Sequence, residues 1–148
     1  MGIEVVWAIF RPISPSKSLK KILLCSFYSP PLAGKNAKLV DHVTDEVQKF
    51  LVLNPDGGII VSGDANLLDI DALLEADSSL KQIVKVPTRK DKTLDIVVTN
   101  LGKYFKPPMS IPPLNPDDPQ TAHPGDHLVL LVLPVSNQMG LRNETQVS

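Results

Sequence analysis

Gly58-Ile59-Ile60-Val61-Ser62-Gly63-Asp64-Ala65-Asn66 is the stretch on which the reading of this chain turns. Its apolar run is continuous, as in a strand covered on both faces, and it opens directly onto an acid and an amide. Asp64 and Asn66 stand two residues apart, so an extended backbone would aim both side chains to one side of a sheet. Gly63 ahead of them permits close backbone approach or an unusual dihedral. Taken alone, an Asp and an Asn at this spacing mark a turn or a cap more often than a site.

Upstream, Pro55-Asp56-Gly57 is a turn signal. Before it, Leu39, Val43, Val47, Phe50 and Leu51 recur at helical spacing, with Asp41, Asp45, Glu46 and Lys49 on the other face. His42 inside that helix reads as a partly exposed surface histidine. Ile3 to Phe10 and Ile22 to Tyr28 are rich in β-branched and aromatic residues and read as strands. The short polar connection Ser14 to Lys21 predicts that they pair antiparallel, since a crossover would need a longer one.

Downstream, Asp69 to Ala76 predicts a short helix capped by Asp69. Val84 to Val86 predicts a strand closed by Pro87, and Thr93 to Thr99 another, with Asp95 among Leu94, Ile96, Val97 and Val98. A carboxylate inside an apolar strand is costly unless paired or strongly hydrogen-bonded. Seven of the chain's 14 prolines fall between Pro107 and Pro124, which predicts an extended loop with no regular ladder. Asp126-His127 then precedes a last strand, Leu128 to Leu133, stopped by Pro134, and residues 136–148 form a polar tail.

The whole chain bounds these elements. Its 148 residues suit one domain, and 43% hydrophobic with 21% charged residues is a globular composition. A net charge of −1 carries no basic excess of the kind that signals nucleic-acid binding, although a local basic patch remains compatible with it. Cys25 is the one cysteine, which rules out an intrachain disulfide and fits a reducing compartment. The start of the chain lacks a basic signal region, and Leu128 to Leu133 is too short to span a membrane. Asn143-Glu144-Thr145 matches a glycosylation triplet that carries little weight without a signal peptide. The expectation is an intracellular chain with no membrane partner.

Acids and amides at several strand ends, with one histidine, suit the activation of water against a phosphodiester. That reaction needs a base near the water, a carboxylate for a divalent cation, and donors for the developing phosphorane charge.

The motifs together resemble a known family. Ile59 to Asn66 is similar to the "GDFN" strand of the endonuclease/exonuclease/phosphatase superfamily. Val86-Pro87-Thr88-Arg89 followed by Thr93 to Leu101 resembles the "PTR…LDlvlTNL" run of non-LTR retrotransposon endonucleases, and Asp126-His127 sits where those have "SDH". Phe27-Tyr28-Ser29-Pro30-Pro31 resembles their "vYxPP" strand end, and Glu4 to Trp7 the strand before it. Order and spacing agree from Gly2 to about Pro134. The resemblance implies an α/β fold: part of a four-layered α/β sandwich of deoxyribonuclease-I type, with mixed, mostly antiparallel sheets and flanking helices, over residues 1–135.

The resemblance also implies roles. Asp64 would orient or deprotonate the attacking water, and Asn66 would hydrogen-bond the scissile phosphate. Tyr28 would contact that phosphate or line the cleft. Asp126 would help hold Mg2+, or Mn2+ in its place. His127 would stabilise the phosphorane, with Asp95 accepting its other N–H. DNA would be the substrate, which would make the location nuclear.

Departures qualify the resemblance. Ala65 replaces the usual aromatic, Gly125 replaces the usual Ser, and the stretch Asn115 to Pro124 is longer than the family's loop. The family's Asn-bearing strand and metal-binding Glu belong upstream of every motif found here, and Glu4 lies in the wrong motif to replace that Glu. No reverse transcriptase region follows Ser148. The expectation is therefore a truncated endonuclease domain, inactive on its own. Two alternatives stand beside it: an interaction module that self-associates through an exposed sheet edge or face, and a remnant reading frame that yields no stable protein.

Overall fold

The computed structural model describes residues 3–13, 19–31, 33–111 and 129–135. Asp126, His127 and Gly125 lie outside the described residues, as do most of the proline-rich stretch, the connection at 14–18 and the tail 136–148.

Strand β1 (Glu4–Phe10) pairs antiparallel with β2 (Ile22–Tyr28), as the short connection predicts. Helix α1 (Ala33–Leu53) then carries the chain back, so that β3 (Gly58–Asp64) lies parallel to β2. The short α2 (Ile70–Leu74) leads to β4 (Lys81–Gln82) at the far edge, and β5 (Asp95–Thr99) fills the place between β3 and β4, antiparallel to both. The sheet order is β1-β2-β3-β5-β4. The chain is α/β with a mixed, mostly antiparallel sheet, as expected. The described residues otherwise add one two-stranded ribbon, β6 (Met109–Ile111) against β7 (Val129–Leu131).

The helical stripe packs as its spacing requires. Leu39, Val40, Val43, Val47 and Phe50 are buried against Leu23, Cys25, Phe27, Ile59, Val61, Ile96 and Val98 of the sheet. His42 is half-buried and accepts a hydrogen bond from Trp7 Nε1 at 3.3 Å, with the rings edge-on. It is structural, in keeping with its reading as a surface histidine. Asp69 caps α2 by accepting from the backbone N–H of Ala72 at 3.0 Å.

Four expectations change. β3 is not buried on both faces throughout: Gly58, Ile59 and Val61 are buried, whereas Ile60, Ser62 and Asp64, which alternate to the face away from α1, are half-buried. Val84 to Val86 is not a strand. The side-chain amide of Gln82 takes both backbone groups of Val84, accepting from its N–H at 2.7 Å and donating to its C=O at 2.8 Å, while Thr93 Oγ1 donates to Val86 O. These side chains satisfy backbone groups that a ladder would otherwise use. β5 starts at Asp95 and not Thr93, because Thr88 Oγ1 accepts from the N–H groups of both Leu94 and Asp95, each at 3.0 Å. Asp95 is thus at a strand end and half-buried, which removes much of the cost expected for a central carboxylate. Finally, Met109–Ile111 forms a strand inside the proline-rich stretch, since this proline-free window keeps its N–H donors.

Candidate active site

The sheet register assembles the site. Glu4 lies opposite Tyr28, Tyr28 opposite Asp64, and Asp64 opposite Asp95. Residues directly opposite in a ladder share a face, so these four side chains form one row across four strands, on the face away from α1. Neighbouring Cβ atoms in such a row are about 4.5–5.5 Å apart. Tyr28 is exposed, and Asp64 and Asp95 are half-buried, so the row is open to a ligand. Two carboxylates directly opposite each other repel, and a cation beside them relieves that repulsion.

Asn66 joins the row by a different route from the one its spacing predicts. β3 ends at Asp64, and Asn66 adopts a left-handed backbone with φ of 41°. Its N–H donates to Asp64 Oδ1 at 3.2 Å, closing an Asx turn, and its side-chain Nδ2 donates to Ser29 O at 2.7 Å. Asn is among the few residues that tolerate this conformation. The extended geometry that would have aligned Asp64 and Asn66 therefore does not persist. The turn reading holds, and the turn brings Asn66 onto the end of β2.

Three residues that the sequence reading gave no role support this arrangement. Ser29 is fully buried; its N–H donates to Asp64 O at 2.9 Å, its carbonyl accepts from Asn66, and its hydroxyl donates to Asn36 Oδ1. Asn36 on α1 is 5% exposed, and its Nδ2 has no partner among the described residues. Thr88, also fully buried, holds the start of β5 and hence Asp95. A polar residue beside Pro30 or Pro87 was the available signal for Ser29 and Thr88. Gly63 is required by close approach: a Cβ there would overlap the Phe27 carbonyl oxygen of the neighbouring strand.

No family model matches this chain. No curated protein matches it, and no solved structure does either. The structure therefore brings together Tyr28, Asp64, Asn66 and Asp95, adds Glu4 to their row, and does not describe Asp126 or His127. Among the described residues, no group of three or more His, Cys, Asp or Glu is gathered to hold a metal. Asp64 and Asp95 alone do not make a metal cage. Beside the row, Thr88 N–H donates to Lys92 O at 2.9 Å, and Arg89 and Lys92 bridge each other across a tight turn with Lys90 at φ 53°. Thr88, which precedes that turn, also accepts from the Asp95 N–H, so the turn Arg89-Lys90-Asp91-Lys92, with three cations and one acid, leads off from the start of β5. No helix among the described residues is long and apolar enough to cross a membrane.

Proposed function

We propose that the chain is part of an endonuclease-like module of the retrotransposon type, shaped for Mg2+-dependent hydrolysis of a DNA phosphodiester. The observation that carries this reading is the row Tyr28–Asp64–Asp95 with Asn66 folded against its end. A base for water, a phosphate donor and an aromatic hydroxyl then stand within one ligand's reach. Asp64 takes or orients the proton of the attacking water, and Asn66 and Tyr28 hold the phosphate; by the resemblance, Asp95 would orient the imidazole of His127, which lies outside the described residues. Mg2+, held by Asp126, would neutralise charge on the phosphate. The basic turn Arg89 to Lys92 supplies backbone-phosphate contacts that the net charge of −1 does not advertise.

The test is a Mn2+ titration of 15N-labelled protein. Selective broadening of Tyr28, Asp64, Asn66 and Asp95, abolished in Asp64→Ala, is expected. Broadening spread over surface acids, or none, sinks the reading. Plasmid nicking that requires Mg2+ and is lost in Asp64→Ala would support it independently.

A second reading rests on β1. Val6, Ile9 and Phe10 of this strand are 70%, 60% and 51% exposed, so apolar side chains project from both faces of an edge that is unpaired among the described residues. Such an edge is a template for a second copy of the chain. Sedimentation that stays monomeric at high concentration would dispose of it.

A further inference from the structure

At the opposite edge and end of the sheet lies a groove of about 740 Å3, within the roughly 300–1,000 Å3 usual for ligand sites. Lys81 on its wall stands opposite Thr99, four residues along β5 from Asp95, or roughly 13 Å at strand spacing. The groove is thus separate from the acidic row. Its floor is aliphatic and prolyl: Leu74, Leu80, Ile83 and Pro108, with Phe105 as its single ring. Among the described residues, every charged side chain that lines it is a lysine: Lys81, Lys85 and Lys106. A fourth, Lys103, sits on the adjoining turn over the Tyr104 ring. Two acids adjoin the lining in sequence: Glu75, which follows Leu74 and is exposed, and Asp77, which is turned onto Ser79, whose N–H donates to it at 2.9 Å. In a chain of net charge −1, this clustering of one sign sets the chemistry of the partner.

We infer that this groove docks an extended acidic peptide segment that carries apolar anchor residues. Three features favour a peptide over a nucleic acid. The floor offers aliphatic surface and one half-buried ring, whereas single strands are held mainly on aromatic platforms. Alternate side chains of an extended segment face opposite ways, so apolar residues enter the floor while acids reach the lysine rim. The edge also retains backbone groups for a peptide. Ile83 N–H donates inward to Val97 O at 3.0 Å, which turns the backbone of Gln82 and Val84 outward. The Gln82 side chain takes the groups of Val84, which shortens the edge and leaves recognition to the lysines, the floor and the Gln82 main chain.

The experiment titrates the 15N-labelled full chain with an acetylated, amidated hexapeptide of alternating glutamate and leucine. A lysine–leucine hexapeptide and a thymidine dodecamer are the comparisons. Saturable shifts at Gln82, Ile83, Gly102 and Phe105 are expected, with Asp64 and Asp95 unmoved. Binding weakens about tenfold in Lys81→Glu/Lys106→Glu and also falls as salt is raised. Both lysines are exposed, so a dispersed spectrum of the variant shows that its fold is intact. Absence of groove shifts, equal binding of the lysine peptide, or undiminished binding by the charge-reversed variant overturns the inference. Groove shifts with the oligonucleotide and not the acidic peptide overturn it in favour of nucleic acid.

Discussion

The two faces of the five-stranded sheet are made by alternate residues of the same strands, yet they live in different environments. On one face Cys25, Ile59, Val61, Ile96 and Val98 are buried beneath α1 and α2. On the other, the environment changes along the strands: Ile22 is buried in a smaller cluster with Leu19 and Leu101, and Val97 and Thr99 are buried, whereas Val6 and Tyr28 are exposed, Ser26 faces solvent, and the polar row Glu4–Tyr28–Asp64–Asp95 closes one end. The face beneath α1 and α2 carries the larger part of the buried core, and the exposed part of the other face carries the proposed site and the proposed contact edge. A single β-strand can serve both because its side chains alternate with a period of two.

The comparison breaks most visibly where a buried side chain is removed. Ile59→Ala should cost about 2–5 kcal/mol in urea unfolding, whereas Val6→Ala on the open face should stay within about 0.5 kcal/mol. Equal costs would mean that the two faces are not distinct. If the chain unfolds without a cooperative transition at all, the packed core described above does not form.

Cys25 probes the same face by pH. Burial pushes its thiol from an ordinary value of 9.0 to about 12. The unfolded chain ionises this thiol first, so the stabilising protonated state is fully present below pH 9 and the difference grows as pH rises towards 12. Stability should therefore fall across that window, by up to roughly 4 kcal/mol at 1.36 kcal/mol per pKa unit. Cys25→Ser, which does not ionise there, should flatten the slope. Iodoacetamide labelling of the native protein should track global unfolding rather than thiol exposure.

Smaller effects belong to the joints between the faces. Thr88→Ala leaves the N–H groups of Leu94 and Asp95 without their acceptor, at a cost of about 1–3 kcal/mol, and loosens Asp95. Thr88→Ser should restore most of it, in urea unfolding and in Mn2+ broadening at Asp95 alike. Asn66→Gly keeps the left-handed turn and loses only the bond to Ser29, about 1 kcal/mol, while Asn66→Ala adds backbone strain and should cost more. The smallest change in stability is expected for Val6→Ser, which should instead lower self-association in sedimentation runs if β1 is a contact edge.

The sequence reading succeeded where the signal was local. Leu39, Val43, Val47 and Phe50 at helical spacing, the Asp69 cap, the Pro55-Asp56-Gly57 turn and the antiparallel β1–β2 pair follow from period, capping and loop length. It failed at Val84 to Val86, where composition resembles a strand but the Gln82 amide occupies the backbone. It placed Asp95 mid-strand because it could not see Thr88 holding the chain seven residues away. The strand inside the proline-rich stretch was hidden by its neighbours, whose count says nothing of a three-residue window.

Of the candidate site, the sequence by itself determines the residue types and their places along the chain: Asp64 and Asn66 after an apolar strand, Asp95 in another, and, through the resemblance, Tyr28 at the end of a third. Their alignment into one row was decided only by the tertiary structure. Register across β2, β3 and β5 depends on contacts between segments far apart in the chain, and a slip of one residue would send each side chain to the other face. The left-handed turn at Asn66 is likewise a tertiary outcome, held by a carbonyl 37 residues earlier that no local pattern reveals.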